Sequence, residues 1–540
     1  MVRFAPSSAS SATRREAATS RRGHSALWAR ICAAALVLSG CGGDGAASSD
    51  AGSDGQGNEP APTYAFPAGF LWGTATAGFQ VDMGCPTKSA ADCDDTASDW
   101  YQWVSDPALI KDKSMHISGQ PVSAGPGMWE TYDADFGRAR DTLHTKAIRL
   151  SIEWSRLFPD AKADAATTLD ELDALVNVQA RDAYRAMFTS ARDRGLQLLV
   201  TVNHYTLPLW LHDGKACNKD ITTCKAKGWA DHDHILPRIA LFAGWCAKTY
   251  GDQVDLWATI NEPFAVVLSG YLLPTADRTN PPGLALQWEL GVQVAFTMME
   301  GHARMYDAIH AADTVDADGD SKAARVGLVP NLVAMKPANP DNPKDVVAAD
   351  HLRHVYNRVF LEATVLGKLD RNLDGTFEET RDDMKGRMDW IGINYYTRIL
   401  AKATPIPGAD KLYPYLDASP DLAAGVWQDY PEGIAEVVTW AAQTYKLPVI
   451  ITENGTAMDK DVAWESYLRP HLLALHGAMQ QPGVEVLGYF VWSLLDNYEW
   501  NHGMGMRFGL FAVDETQAKN RTLTKAGAAY GEAARRGGFD

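Results

Sequence analysis

Two glutamates stand in settings that suit acid–base chemistry. Glu262 lies in Thr259-Ile-Asn-Glu-Pro263 and Glu453 in Ile450-Ile-Thr-Glu-Asn-Gly455, each directly after a short apolar run. Two carboxyl groups facing one another across a cleft are the equipment for cleaving a glycosidic bond. One protonates the departing oxygen, and the other attacks the anomeric carbon or activates water. Arg149 is a cation able to hold a carboxylate ionised. It alternates with Ser151 and Glu153 along one apolar run, so a buried ion pair with Glu153 is the competing reading. His204, Trp492 and Trp500, each taken alone, read as core. The last two are eight residues apart around Asp496 and Glu499, which favours a polar pocket with aromatic walls over packing.

Eight short apolar runs alternate with longer helical patterns and must position these residues. They are Phe70–Ala75, Ala147–Ile152, Leu196–Val202, Val254–Ile260, Val326–Leu332, Trp390–Tyr396, Leu447–Thr452 and Val486–Leu494. The amphipathic stretches between them, such as Ala180–Gly195, end on helix-stop signals. Eight buried parallel strands alternating with helices predict an α/β fold, a single (β/α)8 TIM barrel with long βα loops spanning residues 63–540. Such barrels carry their chemistry at the C-terminal ends of the strands, where Glu262 and Glu453 fall.

The 540 residues are 46% apolar and 22% charged, and they include 17 Trp and 19 Tyr, a supply of aromatic faces of the kind that line sugar sites. The net charge is −17; residues 1–41 hold six Arg and one Glu, hence +5, which leaves −22 on the remainder. So acidic a body argues against nucleic acid as a partner, because neutralising phosphates needs clustered Lys and Arg.

The first forty residues read as a signal peptide. Arginines precede an apolar run, Ile31–Leu38, too short to span a bilayer core of about 30 Å, and Leu38-Ser39-Gly40-Cys41 follows. The tetrapeptide resembles a bacterial lipobox, in which the cysteine becomes the lipidated first residue; an ordinary secretory signal with an incidental Cys41 is the alternative. Residues 41–62, almost without apolar side chains, read as a disordered tether. The expectation is an exported lipoprotein on the periplasmic or cell-surface side, held to the membrane by its lipid alone. Export suits the cysteines. Cys85/Cys93 and Cys217/Cys224 are close pairs, although cross-pairing is equally legal on sequence, and Cys246 lies in an apolar helical stretch as a buried thiol. Asp370–Phe377 looks like half of a calcium loop but has Arg381 where a bidentate carboxylate belongs, and Asp316–Asp320 is another acidic turn; neither predicts a metal site.

Six motifs occur in a telling order: FLWGTATAGFQ (Phe70–Gln80), IRLSIEWSRLFP, TINEP, NYY, ITENG and VWSLLDNYEW. Together they resemble the retaining β-glycosidases of glycoside hydrolase family 1, from Phe70 to about Tyr530. GFQVDMG and EWSR lean toward the branch that includes archaeal β-glycosidases. The resemblance implies Glu453 as nucleophile, Glu262 as acid/base, and Arg149 and Tyr396 as partners of the nucleophile. It implies Gln80, His204, Asn261, Glu499 and Trp500 as holders of the non-reducing sugar, Trp492 as its platform and Phe508 as a further aromatic wall. It implies no cofactor and no catalytic metal. The substrate implied is a β-linked oligosaccharide or an aryl or alkyl β-glycoside, most simply a β-glucoside. A β-galactosidase, β-fucosidase or β-mannosidase on the same scaffold is the alternative, and a sugar-binding lipoprotein without catalysis is the rival class. Tyr205 departs from the tryptophan usual after the strand-three histidine, and Val81-Asp82-Met83 departs from the commoner Ile-Glu-Gly. Arg507, the nearest cation in the strand-eight loop, reads as structural, so Glu499 is expected to repel glycosides phosphorylated at the 6-position.

Overall fold

The structure is a computed structural model that describes residues 60–275, 278–403 and 428–540, and the backbone of Tyr415–Asp417. The segment read as a signal peptide, Cys41 and all but the last three residues of the segment read as a tether lie outside the described residues. Pro60–Asp540 form one compact unit. Its centre is a closed barrel of eight parallel strands: β1 (Leu71–Ala75), β2 (Ala147–Ser151), β3 (Gln197–Asn203), β4 (Leu256–Asn261), β5 (Arg325–Val329), β6 (Trp390–Asn394), β7 (Val449–Asn454) and β8 (Val486–Trp492). Each strand pairs with the next in sequence, and β8 closes on β1 with Trp492 opposite Ala75. All eight apolar runs are therefore barrel strands, with ends within a few residues of those expected.

A helix follows each strand: α1 (Met128–Gly137), α2 (Val178–Asp193), α3 (His232–Tyr250), α4 (Trp288–Ala312), α5 (Val359–Leu366), α6 (Glu432–Tyr445), α7 (Arg469–Met479) and α8 (Lys525–Arg536). Local sequence sets their limits. Asn177 caps α2 by accepting from the amides of Gln179 and Ala180, and α2 buries Ala180, Tyr184, Met187, Phe188 and Ala191, one stripe at helical spacing. Thr524 caps α8, and Gly537 ends it in the left-handed conformation (φ 67°).

The barrel lumen is packed, not open. Ala75, Ala147, Leu199, Leu256, Ala258, Val329, Trp390, Ile450 and Phe490 form one cluster, with Tyr396, Trp492 and Phe508 at its mouth. Large rings fill the lumen only because small residues face them: a Cβ at Gly73 would lie 2.5 Å from the Phe490 ring. Below the strands' N-terminal ends, Tyr64–Ala65 pair with Gly538–Phe539 and tie the two ends of the unit together.

The disulfides are Cys85–Cys93 and Cys217–Cys224, each closing a short loop, and Cys246 is a buried free thiol that burial pushes well above its ordinary range. Of the two acidic turns, Asp370 is buried against His354 (2.7 Å) and accepts the amides of Asp374 and Gly375. Asp255, Asp316 and Asp318 bring carboxylate oxygens within 4.8 Å of one another, but all three also accept backbone amides of the 316–320 turn.

Candidate active site

The strand ends are irregular where the chemistry sits. Pairing registers slip between Ala258 and Asn261, between Ile393 and Asn394, and between Ile451 and Asn454. Such bulges re-aim side chains at a barrel rim. Three residues of the mouth adopt left-handed backbone conformations rare for non-glycines: Tyr205 (φ 70°), Glu262 (φ 43°) and Trp500 (φ 49°). After Asn454, only glycine fits: a Cβ at Gly455 would lie 1.8 Å from the Trp492 carbonyl oxygen. The two carboxylate-bearing segments are thus held by local geometry that the surrounding fold must enforce.

Glu453 is buried and gripped on both oxygens. Arg149 Nη1 donates to Oε1 (2.5 Å) and the Tyr396 hydroxyl to Oε2 (2.6 Å). Arg149 is itself fully buried and fixed by Thr201 Oγ1 (3.0 Å) and by Asn261 Oδ1 (2.7 Å). It does not pair with Glu153. That carboxyl instead accepts from Ser151, Thr206 and the Phe79 amide, and burial pushes it up to about 8. Sequence reasoning expected the cation to lower the Glu453 carboxyl. Burial outweighs it: desolvation pushes the carboxyl up to about 7 against the pull of Arg149, with the Glu262 charge adding to the rise and the Tyr396 hydrogen bond opposing it.

Glu262 is also buried. Its Oε1 accepts from Asn394 Nδ2 (2.8 Å) and, at 3.4 Å, from Asn331 Nδ2. Its Oε2 takes the Tyr205 hydroxyl. Asn261 organises the floor between the carboxylates. Its Oδ1 accepts from Arg149 and from Asn394 Nδ2 (3.0 Å), so its amide nitrogen donates to His204 Nε2 (3.1 Å). Burial and two nearby guanidinium groups hold His204 well below its ordinary range, so the ring is neutral and carries its proton on Nδ1. That Nδ1, and Oε1 of Gln80, have no partner among the described residues. One is a donor and the other an acceptor, at the wall of the cavity that Glu262, Glu453 and Glu499 also line. Buried polar groups are rarely left unpaired, and hydroxyls of a bound sugar are suitable partners.

Glu499 completes the cavity, with Trp492, Trp500, Tyr396 and Phe508 as aromatic walls. Gln80 Nε2 donates to its Oε2 (2.8 Å). Trp500 also serves as core: one side stacks on Phe79 (5.4 Å, 5°), and it lies 6.0 Å from the His204 ring at 16°. All eleven site residues expected in the barrel therefore meet in or beside one cavity: ten line it, and Arg149 lies beneath, gripping Glu453. Size alone would mislead. A wider cleft lies elsewhere, lined by residues such as Asp94, Trp129 and Arg156.

Two contributors escaped sequence reasoning. Asn394 was in view within NYY, but only contact with Glu262 and Thr452 shows its use. Arg278, on the loop after β4, donates to Glu499 (Nη2–Oε1, 3.1 Å) and lies 5.6 Å from the Tyr205 ring. The nearest sequence signal was a lone arginine before Pro281-Pro282, which says nothing of a pocket. Arg507 pairs with Asp496 and Glu515, as a structural residue would, and the cation beside Glu499 is Arg278, from outside the strand-eight loop.

The model of glycosyl hydrolase family 1 matches residues 63–539. The chain belongs to that family. It is an O-glycosyl hydrolase. It is 36% identical over 488 residues to the beta-galactosidase of Pyrococcus woesei, covering 83% of this chain and 93% of that protein. It is 29% identical over 500 residues to beta-glucosidase A of Thermotoga maritima, covering 88% and 99%. Among solved structures, the beta-glycosidase of the hyperthermophile Thermosphaera aggregans superposes with a TM-score of 0.76 at 27% identity, covering 88% of this chain and 98% of that one. The β-glycosidase family and the (β/α)8 barrel expected from sequence both stand.

Proposed function

We propose that the protein is an exo-acting retaining β-glycosidase of the β-glucosidase type, acting on unphosphorylated β-glycosides by double displacement. The observation that carries this is the Glu453 carboxylate, clamped by Arg149 and Tyr396 in the same small cavity as Glu262. In the first step Glu453 attacks the anomeric carbon while Glu262 protonates the departing glycosidic oxygen. The carbon–oxygen bond breaks and a glycosyl ester forms on Glu453. Esterification removes a negative charge beside Glu262, so its proton is readily given up. In the second step Glu262 takes a proton from water, the water oxygen attacks the anomeric carbon, and Glu453 leaves as a carboxylate. Two inversions return the original anomer.

Gln80, His204, Glu499 and Trp500 would hold the non-reducing sugar over Trp492, which supports release of single terminal residues. Relatives named both β-galactosidase and β-glucosidase bear on the sugar preference, and a galactoside is the second reading. The Arg278–Glu499 pair leaves this end of the pocket nearly neutral, so the repulsion of a 6-phosphate is weaker than Glu499 alone would give. The buried carboxylate still presents only acceptors to the sugar, which suits hydroxyl donors and not a dianion.

An N-terminal lipid anchor on Cys41 belongs to the same reading, supported by the arginines before Ile31–Leu38 and by the Leu38–Cys41 tetrapeptide. It makes the enzyme an exported, membrane-held lipoprotein.

The test is substitution of both glutamates. Glu453→Ala abolishes turnover of aryl β-glucosides. Glu262→Ala retains more activity on activated leaving groups, and azide restores it with formation of the β-glycosyl azide, seen by NMR. Azide adduct of the α configuration in that variant, or wild-type activity in either variant, refutes the assignment.

A further inference from the structure

Tyr205 stands where the resemblance to family 1 leads one to expect a tryptophan, and its hydroxyl meets Glu262. We propose that Tyr205 is a positioning residue for the acid/base: its hydroxyl makes Oε2 the oxygen of Glu262 that carries and returns the proton. The proposal rests on the assignment of Glu262 as acid/base.

The hydrogen-bond inventory leads to it. Oε1 of Glu262 faces amide nitrogens of Asn394 and Asn331, and an amide N–H donates and cannot accept. A proton on Oε1 would find no acceptor there, so the protonated acid carries it on Oε2. The partner of Oε2 is a phenol, which donates to a carboxylate and accepts from a carboxylic acid. The same hydroxyl therefore suits both protonation states through which double displacement passes. An indole N–H at this place would only donate. During turnover the phenol keeps its own proton, and only the direction of its hydrogen bond reverses.

The backbone and the packing aim that hydroxyl. Tyr205 lies two residues beyond β3 in a left-handed conformation (φ 70°), next to a turn in which Asn203 Nδ2 donates to the Thr206 carbonyl (2.9 Å). Its ring is buried, meets Trp500 edge-on at 4.8 Å and has the Arg278 guanidinium 5.6 Å away. Burial and the Glu262 charge push the phenol well above its ordinary range, Arg278 opposing, so the hydroxyl stays protonated throughout the working pH range. The other charged or titratable groups around the two residues are His204, whose ring lies 5.3 Å from that of Tyr205, and Glu453, Glu499, Tyr356 and Tyr396.

Tyr205→Phe keeps the ring and removes the hydroxyl. A hydrogen bond donated to an ionised group outweighs one to its neutral form. Its loss should move the basic limb of kcat/KM to higher pH and lower kcat for a dinitrophenyl β-glucoside, whose turnover needs the base, about tenfold or more. KM should change little. In a Glu262→Ala background with azide present, adding Tyr205→Phe should change nothing, because the residue acts only through Glu262. An equal loss at every pH that persists in the Glu262→Ala background means that the hydroxyl acts otherwise than through Glu262, and overturns the proposal, as does an unaltered pH profile with unaltered kcat. Failure of azide to rescue Glu262→Ala on its own would instead strike at the assignment of Glu262. The two failures are thus told apart, and melting temperatures of both single variants check that the fold is kept.

Discussion

Tyr396→Phe isolates one hydrogen bond to the proposed nucleophile. The hydroxyl donates to Glu453 Oε2 at 2.6 Å, a short bond to an ionised acceptor, while the ring fills a buried place between the lumen cluster and Phe508. Removing only the oxygen leaves that packing in place. Hydrogen bonds to charged groups contribute about 1.5–3 kcal/mol, which converts to roughly 10- to 150-fold in kcat/KM if the bond orients the attacking carboxylate. The sign of the pH effect follows from which form the bond favours. The hydroxyl stabilises the ionised carboxyl, so it pulls down a group that burial has pushed up to about 7. Without it the carboxyl rises further, the nucleophile is protonated over a wider acid range, and the acid limb of kcat/KM moves to higher pH. The loss is therefore larger at pH 6 than at pH 8. The assay is kcat/KM for an aryl β-glucoside from pH 5 to 9, beside the melting temperature of each protein. An acid limb that stays in place with wild-type kcat/KM, or one that moves to lower pH, would refute both the role of Tyr396 and the reading of Glu453 as the group whose ionisation sets that limb.

A 4-nitrophenyl β-glucoside should exceed its 6-phosphate in kcat/KM by at least about tenfold, since a dianion must enter beside Glu499 or break its pair with Arg278; comparable values would overturn the role given to Glu499. Cys41→Ser should release the protein into the aqueous phase on detergent partitioning or leave its precursor uncleaved, and identical aqueous partitioning of wild type and variant would remove the lipid anchor from the account.

Much of this molecule is written locally. A barrel strand buried on both faces must be apolar throughout, and an amphipathic helix must repeat its apolar stripe. Runs such as Trp390–Tyr396 and stretches such as Ala180–Gly195 therefore announce their elements from composition and period alone. Glu262 and Glu453 are legible for a related reason: the barrel turns strand ends into a rim, so a polar residue directly after an apolar run is a candidate wherever it falls. Side-chain partnership is different, because it depends on distances that no local pattern encodes. Arg149 lies two residues from Ser151 and four from Glu153 along the chain, yet it grips Glu453, 304 positions away, because β2 and β7 point into the same lumen. The sign of the Glu453 shift was likewise decided by burial, a property of the closed barrel and not of its neighbours in sequence. Arg278 reaches Glu499 across 221 positions from a loop whose own residues give no hint of a pocket. Tyr205 read as a mere departure until the turn after β3 swung its hydroxyl onto Glu262. Sequence by itself determined the elements, their order and the two carboxylates, because burial and periodicity act within a few residues. Only the tertiary structure decided which charge faces which and which hydroxyl meets which oxygen, because electrostatics and hydrogen bonds act through a few ångströms of space, whatever the length of chain between the partners.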